Sequence, residues 1–171
     1  RFKREIDDWV ICAVEFRLDK SRPLKMDYAG VPEELAAMGI TEPKALHLAE
    51  AISRIRTRKL PNPALVGNAG SFFKNPMVPD ADALKSAHPE LPVFPSGVVG
   101  HKKLSAAWLI EQAGCKGHRS GDAGISAQHA LVLVNHGGAT GAQLLALAET
   151  VVDSVERRFG IRLEPEPRIL G

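Results

Sequence analysis

The clearest pattern of hydrophobic and polar positions lies between residues 140 and 159, where apolar residues recur every three or four positions. This spacing is typical of an amphipathic helix with one face on a hydrophobic core. Gly160 follows, and glycine commonly ends helices because it adopts left-handed backbone angles. The sequence therefore predicts a helix over residues 140–159. Its apolar stripe consists of Leu144, Ala148, Val151, Val152, Val155 and Phe159.

Weaker helical spacing predicts shorter helices elsewhere. These cover residues 31–39, residues 41–58 with Thr41 as N-cap, residues 80–87 with Asp80 as cap, and residues 103–113. Gly39 and Gly114 stand where two of these helices are expected to end. Together with the helix over residues 140–159, they indicate a protein that is rich in helices.

Alternating or continuous apolar residues predict strands. Residues 9–18 alternate and are rich in Val, Ile and Phe, a second extended run ends at Tyr28, and residues 130–135 resemble a buried strand. Three prolines between residues 89 and 95 predict an irregular connection. Glycines at 117, 121 and 124 predict a polar loop, which lacks the context of a nucleotide-binding motif. We predict an α+β fold.

Composition narrows the function classes. The 171 residues are 44% hydrophobic and carry 22 Lys and Arg against 20 Asp and Glu, a net charge of +2. This balance gives no argument for nucleic acid or a membrane surface as a partner, and no apolar run reaches membrane-span length. Cys12 and Cys115 predict neither a disulfide framework nor a metal site, and the six histidines have no paired metal-ligand spacing.

The chain begins at Arg1, without a methionine, inside sequence that has the pattern of an ordered domain. We therefore expect it to be the C-terminal piece of a longer protein. With two cysteines and no disulfide framework, a reducing compartment is the default expectation.

A segment rich in proline and glycine, residues 59–76, is the candidate for chemistry. It carries Ser71 directly after Gly70, with Asn68, Lys74 and Asn75 nearby. A small hydroxyl flanked by amides and lysines suits an anionic ligand or an oxyanion. The alternative is an ordinary surface loop whose Asn and Ser side chains bond to their own backbone. The adjacent Phe72 and Phe73 favour a loop that is anchored to a core.

A second candidate is the terminal run of residues 164–168. Glu164, Glu166 and Arg168 alternate with prolines, so they point to one face of an extended chain. Prolines confine such a run to an edge or a bulged strand. The alternative is a solvated polar face with a weak ion pair.

With these motifs in view, the chain resembles the C-terminal portion of the UDP-N-acetylenolpyruvoylglucosamine reductases (MurB, UDP-N-acetylmuramate dehydrogenases). The order and spacing of the motifs extend over most of the chain, and Tyr28 upstream is typical of the longer type of this family. The motifs are Arg56-Thr-Arg-Lys-Leu-Pro61, Gly67-Asn-Ala-Gly-Ser-Phe-Phe-Lys-Asn-Pro76, Ala107-Trp-Leu-Ile110 followed by Gly114 to Gly117, and Leu163-Glu-Pro-Glu-Pro-Arg168.

The resemblance implies a flavoenzyme of peptidoglycan precursor synthesis. NADPH reduces a bound FAD, and hydride then passes to the enolpyruvyl group of UDP-N-acetylglucosamine enolpyruvate. Hydride addition at C3 leaves an enolate-like charge that must be stabilised while C2 is protonated. By resemblance, Ser71 is the acid at C2, Glu166 is the catalytic glutamate, and Arg168 lies near the flavin and the developing charge. The family's other catalytic arginine belongs to a Tyr-Arg-Asp-Ser motif that would end immediately before Arg1.

The resemblance also implies binding roles. Tyr28, Lys59 and Asn75 match positions that hold the UDP-sugar pyrophosphate, and Arg56 matches an arginine close to the flavin or the substrate. His129 stands where some members have glutamine; it either donates to phosphate or is a packed core residue. Phe94 lies near a position where a relative has a tyrosine that closes over the substrate. Its missing hydroxyl leaves stacking as its possible contact.

Residues 1–57 would be a remnant of the FAD-binding domain, and residues 58–171 the substrate domain with a small sheet covered by helices. Because most FAD contacts in the family come from preceding domains, we expect the chain alone to bind little FAD and to be inactive. A cytoplasmic protein, monomeric at full length, is expected. Two other classes remain open: a non-catalytic module that binds a nucleotide-sugar or phosphate, and a structural or interaction domain.

Overall fold

A computed structural model describes residues 11–19 and 21–169. Contacts divide the chain into two compact units, Arg1–Ala51 and Ile52–Gly171. This division neither supports nor contradicts the predicted boundary after residue 57, which stays a prediction. Among the described residues, no helix is both long enough and apolar enough to cross a membrane.

The first unit contains helix α1 (Val31–Ala37) and the beginning of helix α2 (Ala45–Lys59). The predicted end of α1 is confirmed, since Gly39 follows it with a φ of 71°. The predicted start of α2 at Thr41 is wrong by four residues. Pro43 disfavours helical angles at the residue before it, so the helix begins only beyond the proline.

The strand predicted over residues 9–18 does not form where the structure describes it. Residues 11–19 have no regular secondary structure, and Trp9 and Val10 lie outside the described residues. The apolar side chains that suggested the strand are exposed, with Phe16 77% and Leu18 82% accessible. Alternation predicts an extended chain, but a strand also needs a neighbouring strand to receive its hydrogen bonds.

The second unit contains two antiparallel sheets. The four-stranded sheet has the order β1 (Gly67–Ser71), β7 (Val132–Asn135), β6 (Ala123–Ile125) and β5 (Arg119–Ser120). The three-stranded sheet has the order β2 (Met77–Val78), β4 (Lys102–Leu104) and β3 (Val93–Pro95). Three helices complete the unit after the end of α2: α3 (Asp82–Ala87), α4 (Ala106–Gln112) and α5 (Gly141–Phe159).

Three segments predicted as irregular contain strands. The predicted polar loop over residues 117–124 holds β5 and enters β6, and the proline-rich connection holds β3. The candidate loop itself contains β1, the edge strand of the larger sheet. These strands are two to five residues long, too short to show a period-2 pattern, and each forms by pairing with another segment. The first two residues of the helix predicted over 103–113, Lys103 and Leu104, also belong to a strand, β4.

Helix α5 matches its prediction. Thr140 and Gln143 form a reciprocal capping box at its start, and Gly160 ends it with a φ of 67°. Its buried face packs onto the larger sheet and α4. The core that supports the site therefore lies between α5, α4 and the sheet. Its fully buried large side chains include Phe73, Leu104, Leu109, Ile110 and Val155.

Candidate active site

Ser71 stands at the end of edge strand β1, where the strand is distorted. The pairing of β1 with β7 changes register between Asn68 and Ser71, as in a β-bulge. Gly70 has a φ of 75°, a left-handed conformation that glycine adopts without strain. The Ser71 side chain is exposed. The bulge therefore presents the hydroxyl at the surface of the sheet edge.

The terminal segment runs antiparallel beside the residues that follow Ser71. Phe73 and Pro165 form a β-bridge, the Lys74 amide donates to the Glu164 carbonyl at 2.9 Å, and the Glu166 amide donates to the Phe72 carbonyl at 2.7 Å. Glu166 is thus held by its own backbone next to the neighbour of Ser71.

This pairing is anchored in the core. Phe73 is 1% exposed, and its ring meets Phe72 edge to face at 5.1 Å between centroids. The expectation that the aromatic pair anchors the segment is confirmed. Glu166 and Arg168 are both exposed, and each has a further interaction within the protein. Glu166 and Arg168 therefore lie on the segment whose backbone pairs with the residues that follow Ser71.

His129 lies in the turn before β7 and is half-buried. Its Nδ1 accepts a hydrogen bond from the Leu131 amide at 3.3 Å. The proton of the neutral ring therefore resides on Nε2, which leaves that atom as a donor. The ring therefore makes a local hydrogen bond at one nitrogen, while donation to a phosphate from the other nitrogen stays a prediction.

Two lysines act electrostatically on His129. Burial lowers the pKa of its imidazole first, and the positive charges of Lys116 and Lys59 lower that pKa further, while Glu111 opposes them. Lys59 is the last residue of α2, and Lys116 follows α4 and forms an ion pair with Glu111 at 2.9 Å. Lys59 and Lys116 make a positive region beside His129, which is suited to an anionic ligand.

Lys116 had no role in the sequence-based predictions. It lies in the Gly-Cys-Lys-Gly run after α4, and nothing in local spacing connects it with Lys59 or His129. Only the fold brings the end of α2, the end of α4 and the turn before β7 together. Arg56 is exposed one turn before Lys59, and neither residue forms an ion pair with any residue that the structure describes.

Asn75 has a structural role in addition to the pyrophosphate-binding role predicted for it. Its Oδ1 accepts a hydrogen bond from the Ala106 amide at 2.9 Å, at the start of α4. Only its Nδ2 is then available to donate to a ligand. Phe94 lies in β3 and is 44% exposed. Tyr28 belongs to the first unit, where its carbonyl accepts from the Val31 amide and its side chain is 40% exposed.

Comparison with known proteins gives consistent matches. Residues 62–170 match the family described as UDP-N-acetylenolpyruvoylglucosamine reductase, C-terminal domain. A UDP-N-acetylenolpyruvoylglucosamine reductase from Xylella fastidiosa is 55% identical over 173 aligned positions, covering 100% of this chain and 49% of the relative. One from Xanthomonas euvesicatoria is 54% identical, covering 99% of the chain and again 49% of the relative.

Among solved structures, the reductase MurB from Thermus caldophilus is 28% identical with a TM-score of 0.44, covering 72% of this chain and 33% of that one. The chain spans about half the length of the curated relatives it matches. The family match covers well over half of the chain, and it includes Ser71, Asn75, His129, Glu166 and Arg168. The chain therefore belongs to the family of UDP-N-acetylenolpyruvoylglucosamine reductase C-terminal domains.

Proposed function

We propose that this chain is the substrate-binding half of a flavin-dependent reductase that converts UDP-N-acetylglucosamine enolpyruvate to UDP-N-acetylmuramate with NADPH. The relatives that are named for this activity are about twice as long as this chain. The observation that carries the proposal is the backbone pairing of residues 72–74 with residues 164–166, in which Glu166 bonds to Phe72, the residue after Ser71. The proposal includes a cytoplasmic location, where peptidoglycan precursors are made, and a monomeric full-length protein.

In this proposal, Ser71 donates the proton that C2 of the enolpyruvyl group receives. A serine hydroxyl is a weak acid, so the surroundings must stabilise the alkoxide that remains. Glu166 and Arg168 act beside it, with Arg168 facing the negative charge that develops next to the substrate carboxylate. The bulge before Ser71 supports this role because it exposes the hydroxyl on a rigid sheet edge.

The diphosphate of the substrate is assigned to the positive region. Lys59 and Lys116 supply charge, His129 donates from Nε2, and Asn75 donates from Nδ2. Burial is the main cause of the lowered pKa of His129, and the further lowering by Lys116 and Lys59 supports this assignment because both positive charges act on the ring. Tyr28 is proposed as a further donor to the same group. Lys116 is an addition to the residues that the sequence indicated.

The proposal includes FAD because the family that this chain resembles uses this cofactor. When bound, the flavin supplies the hydride that NADPH provides. Arg56 is the residue of this chain assigned to it, and its exposed, cationic side chain fits a polar or anionic group of the cofactor. The remaining contacts are assigned to the part of the relatives that this chain does not cover.

The test is substrate-dependent NADPH oxidation by the full-length protein, with Ser71→Ala beside it. Removal of a positioned acid typically costs roughly 100- to 10,000-fold in rate, so we expect a loss of that size at unchanged UDP affinity. Ser120→Ala is the matched control because Ser120 is also an exposed strand residue, and it should leave turnover unchanged. A loss below about tenfold for Ser71→Ala would refute the proton-donor role.

The positive region also favours a second candidate, a non-catalytic module that binds a nucleotide-sugar or phosphate. Such a module needs Lys59, Lys116 and His129 but neither Ser71 nor Glu166. Full-length protein that binds UDP yet oxidises no NADPH with the substrate would support the module and reject the reductase.

A further inference from the structure

The Asn68 side chain makes three contacts, all with the backbone of its own segment. Its Oδ1 accepts from the Gly70 amide at 3.1 Å. Its Nδ2 donates to the Val66 carbonyl at 3.0 Å and, over a longer distance of 3.4 Å, to the Pro61 carbonyl. The side chain is half-buried, so these contacts replace much of its hydration.

The first contact fixes the geometry immediately before Ser71. Gly70 is the residue with the left-handed φ, and the register shift of β1 lies between Asn68 and Ser71. A hydrogen bond to the Gly70 amide holds the bulge in one conformation. The direction of the Ser71 hydroxyl depends on that conformation because the two residues are adjacent.

The other two contacts reach back along the segment, to Val66 two residues before Asn68 and to Pro61 seven residues before it. Pro61 follows Lys59 by two residues, and Val66 is the last residue before β1. One amide group therefore connects the chain that leaves the positive region with the bulge that presents Ser71. Only an amide serves both ends, since it combines an acceptor with two donor hydrogens.

We propose that Asn68 is a positioning residue that fixes the placement of Lys59 relative to Ser71. This inference rests on the proposed function, in which Lys59 binds the diphosphate and Ser71 donates the proton. Asn68 itself need not touch the substrate. A displacement of about 1 Å at a reacting group can cost on the order of 100-fold in rate, so loss of the connection should slow the protonation step.

The test uses the full-length flavoprotein and follows its two half-reactions separately. Asn68→Ala should leave flavin reduction by NADPH within about twofold and slow flavin reoxidation by the enolpyruvyl substrate by roughly 10- to 100-fold. Asn68→Asp keeps the acceptor for Gly70 but turns an oxygen toward two carbonyl groups. It should therefore weaken UDP binding more than it slows reoxidation by bound substrate.

Asn135 supplies the matched control. Its amide also makes three backbone hydrogen bonds, donating to the Ala139 carbonyl and accepting from the Gly137 and Ala139 amides. Asn135→Ala should lower the melting temperature by an amount similar to Asn68→Ala, yet leave both half-reactions unchanged. This comparison separates positioning from a general loss of stability.

Hydrogen exchange at the Gly70 amide gives a readout that is independent of activity. It should quicken at least tenfold in Asn68→Ala and remain slow in Asn68→Asp and Asn135→Ala. Equal slowing of both half-reactions, or reoxidation at the wild-type rate, would overturn the positioning role. If the enolpyruvyl substrate does not reoxidise the flavin of the wild-type protein, the proposed function is overturned instead. Hydrogen exchange at the Gly70 amide would still decide whether Asn68 holds the bulge.

Discussion

At the scale of single residues, Glu164 and Glu166 lie on the same segment but have different interaction partners. Glu164 forms an exposed ion pair with Lys74 at 3.2 Å. Glu166 is placed next to Phe72 and therefore close to Ser71. Only the second carboxylate is expected to take part in the reaction, although both have the same charge and exposure class.

Substitution to glutamine tests this difference because it removes the charge and keeps the backbone pairing. Glu166→Gln should lower kcat of the full-length protein by roughly 100-fold or more, as expected for loss of an acid–base group. Glu164→Gln should change kcat less than about fivefold, since exposed ion pairs contribute at most about 1 kcal/mol. Equal losses for the two variants would contradict the assignment of Glu166.

His129 predicts a dependence of stability on pH. Its folded-state pKa is lowered from 6.5, first by burial and then by Lys116 and Lys59. Between the two pKa values the unfolded chain binds more protons than the folded one, so stability increases with pH there. The contribution is complete above about pH 6.5 and is lost as pH falls toward the folded-state pKa.

The measurement is an NMR titration of the His129 ring together with thermal unfolding at several pH values. Lys116→Met should raise the pKa of His129 because it removes a positive neighbour. His129→Gln should reduce the loss of stability between pH 7 and the folded-state pKa. A His129 pKa at or above its unfolded value in the wild-type chain would be evidence against the positive region.

At the scale of elements, helix α5 shows how side-chain caps stabilise the start of a helix. The Thr140 Oγ1 accepts from the Gln143 amide at 3.2 Å, and the Gln143 Oε1 accepts from the Thr140 amide at 2.8 Å. Each bond satisfies an amide that the helix leaves unpaired.

Thr140→Ala should lower the free energy of unfolding by about 1 kcal/mol, within a range of roughly 0.5 to 2 kcal/mol. Thr150→Ala is the control, since Thr150 is exposed inside the same helix and bonds only to the Ala146 carbonyl. That change should stay within about 0.5 kcal/mol. Urea unfolding of both variants decides the matter, and equal effects would mean that the cap does not limit stability.

How far the sequence predicts these elements depends on their length. The pattern from Leu144 to Phe159 repeats over several turns, so it identifies α5 and its core face without knowledge of the fold. The strands β5 and β6 are too short to show a period, and their glycines suggested a loop. β6 pairs with β7 and β5 pairs with β6, so both strands depend on contacts that their own residues do not reveal.

The candidate site likewise has features that the sequence predicts and features that only the fold produces. The proline, glycine and aromatic residues around Ser71 indicated an anchored segment with exposed polar groups, and this is what the structure has. Lys116 was missed because its charge acts on His129 only in the folded chain, from the loop after α4 to the turn before β7. The strand predicted at residues 11–18 was wrong because alternation of apolar residues does not by itself make a strand, and these residues have no regular secondary structure.

At the scale of the whole molecule, the chain covers about half of its relatives, which bears on its cofactor. We expect the 171-residue chain, purified alone, to retain little or no FAD and to oxidise no NADPH with the substrate. The full-length protein should carry FAD in a ratio close to one per chain. The flavin absorbance of the two preparations measures this directly, and stoichiometric flavin in the shorter chain would contradict the expectation.

The pairing of residues 72–74 with residues 164–166 has a consequence for the order in which the protein is made. Lys74 and Glu164 lie 90 residues apart in sequence. At the usual rates of translation, about 5 to 20 residues per second, roughly 5 to 20 seconds separate the synthesis of the two. Residues 72–74 therefore leave the ribosome well before residues 164–166 exist, and Phe73 must wait for the C-terminal segment to pair with it. Any nascent chain released during that interval would contain the serine and lack the glutamate, so it would be unable to complete the site.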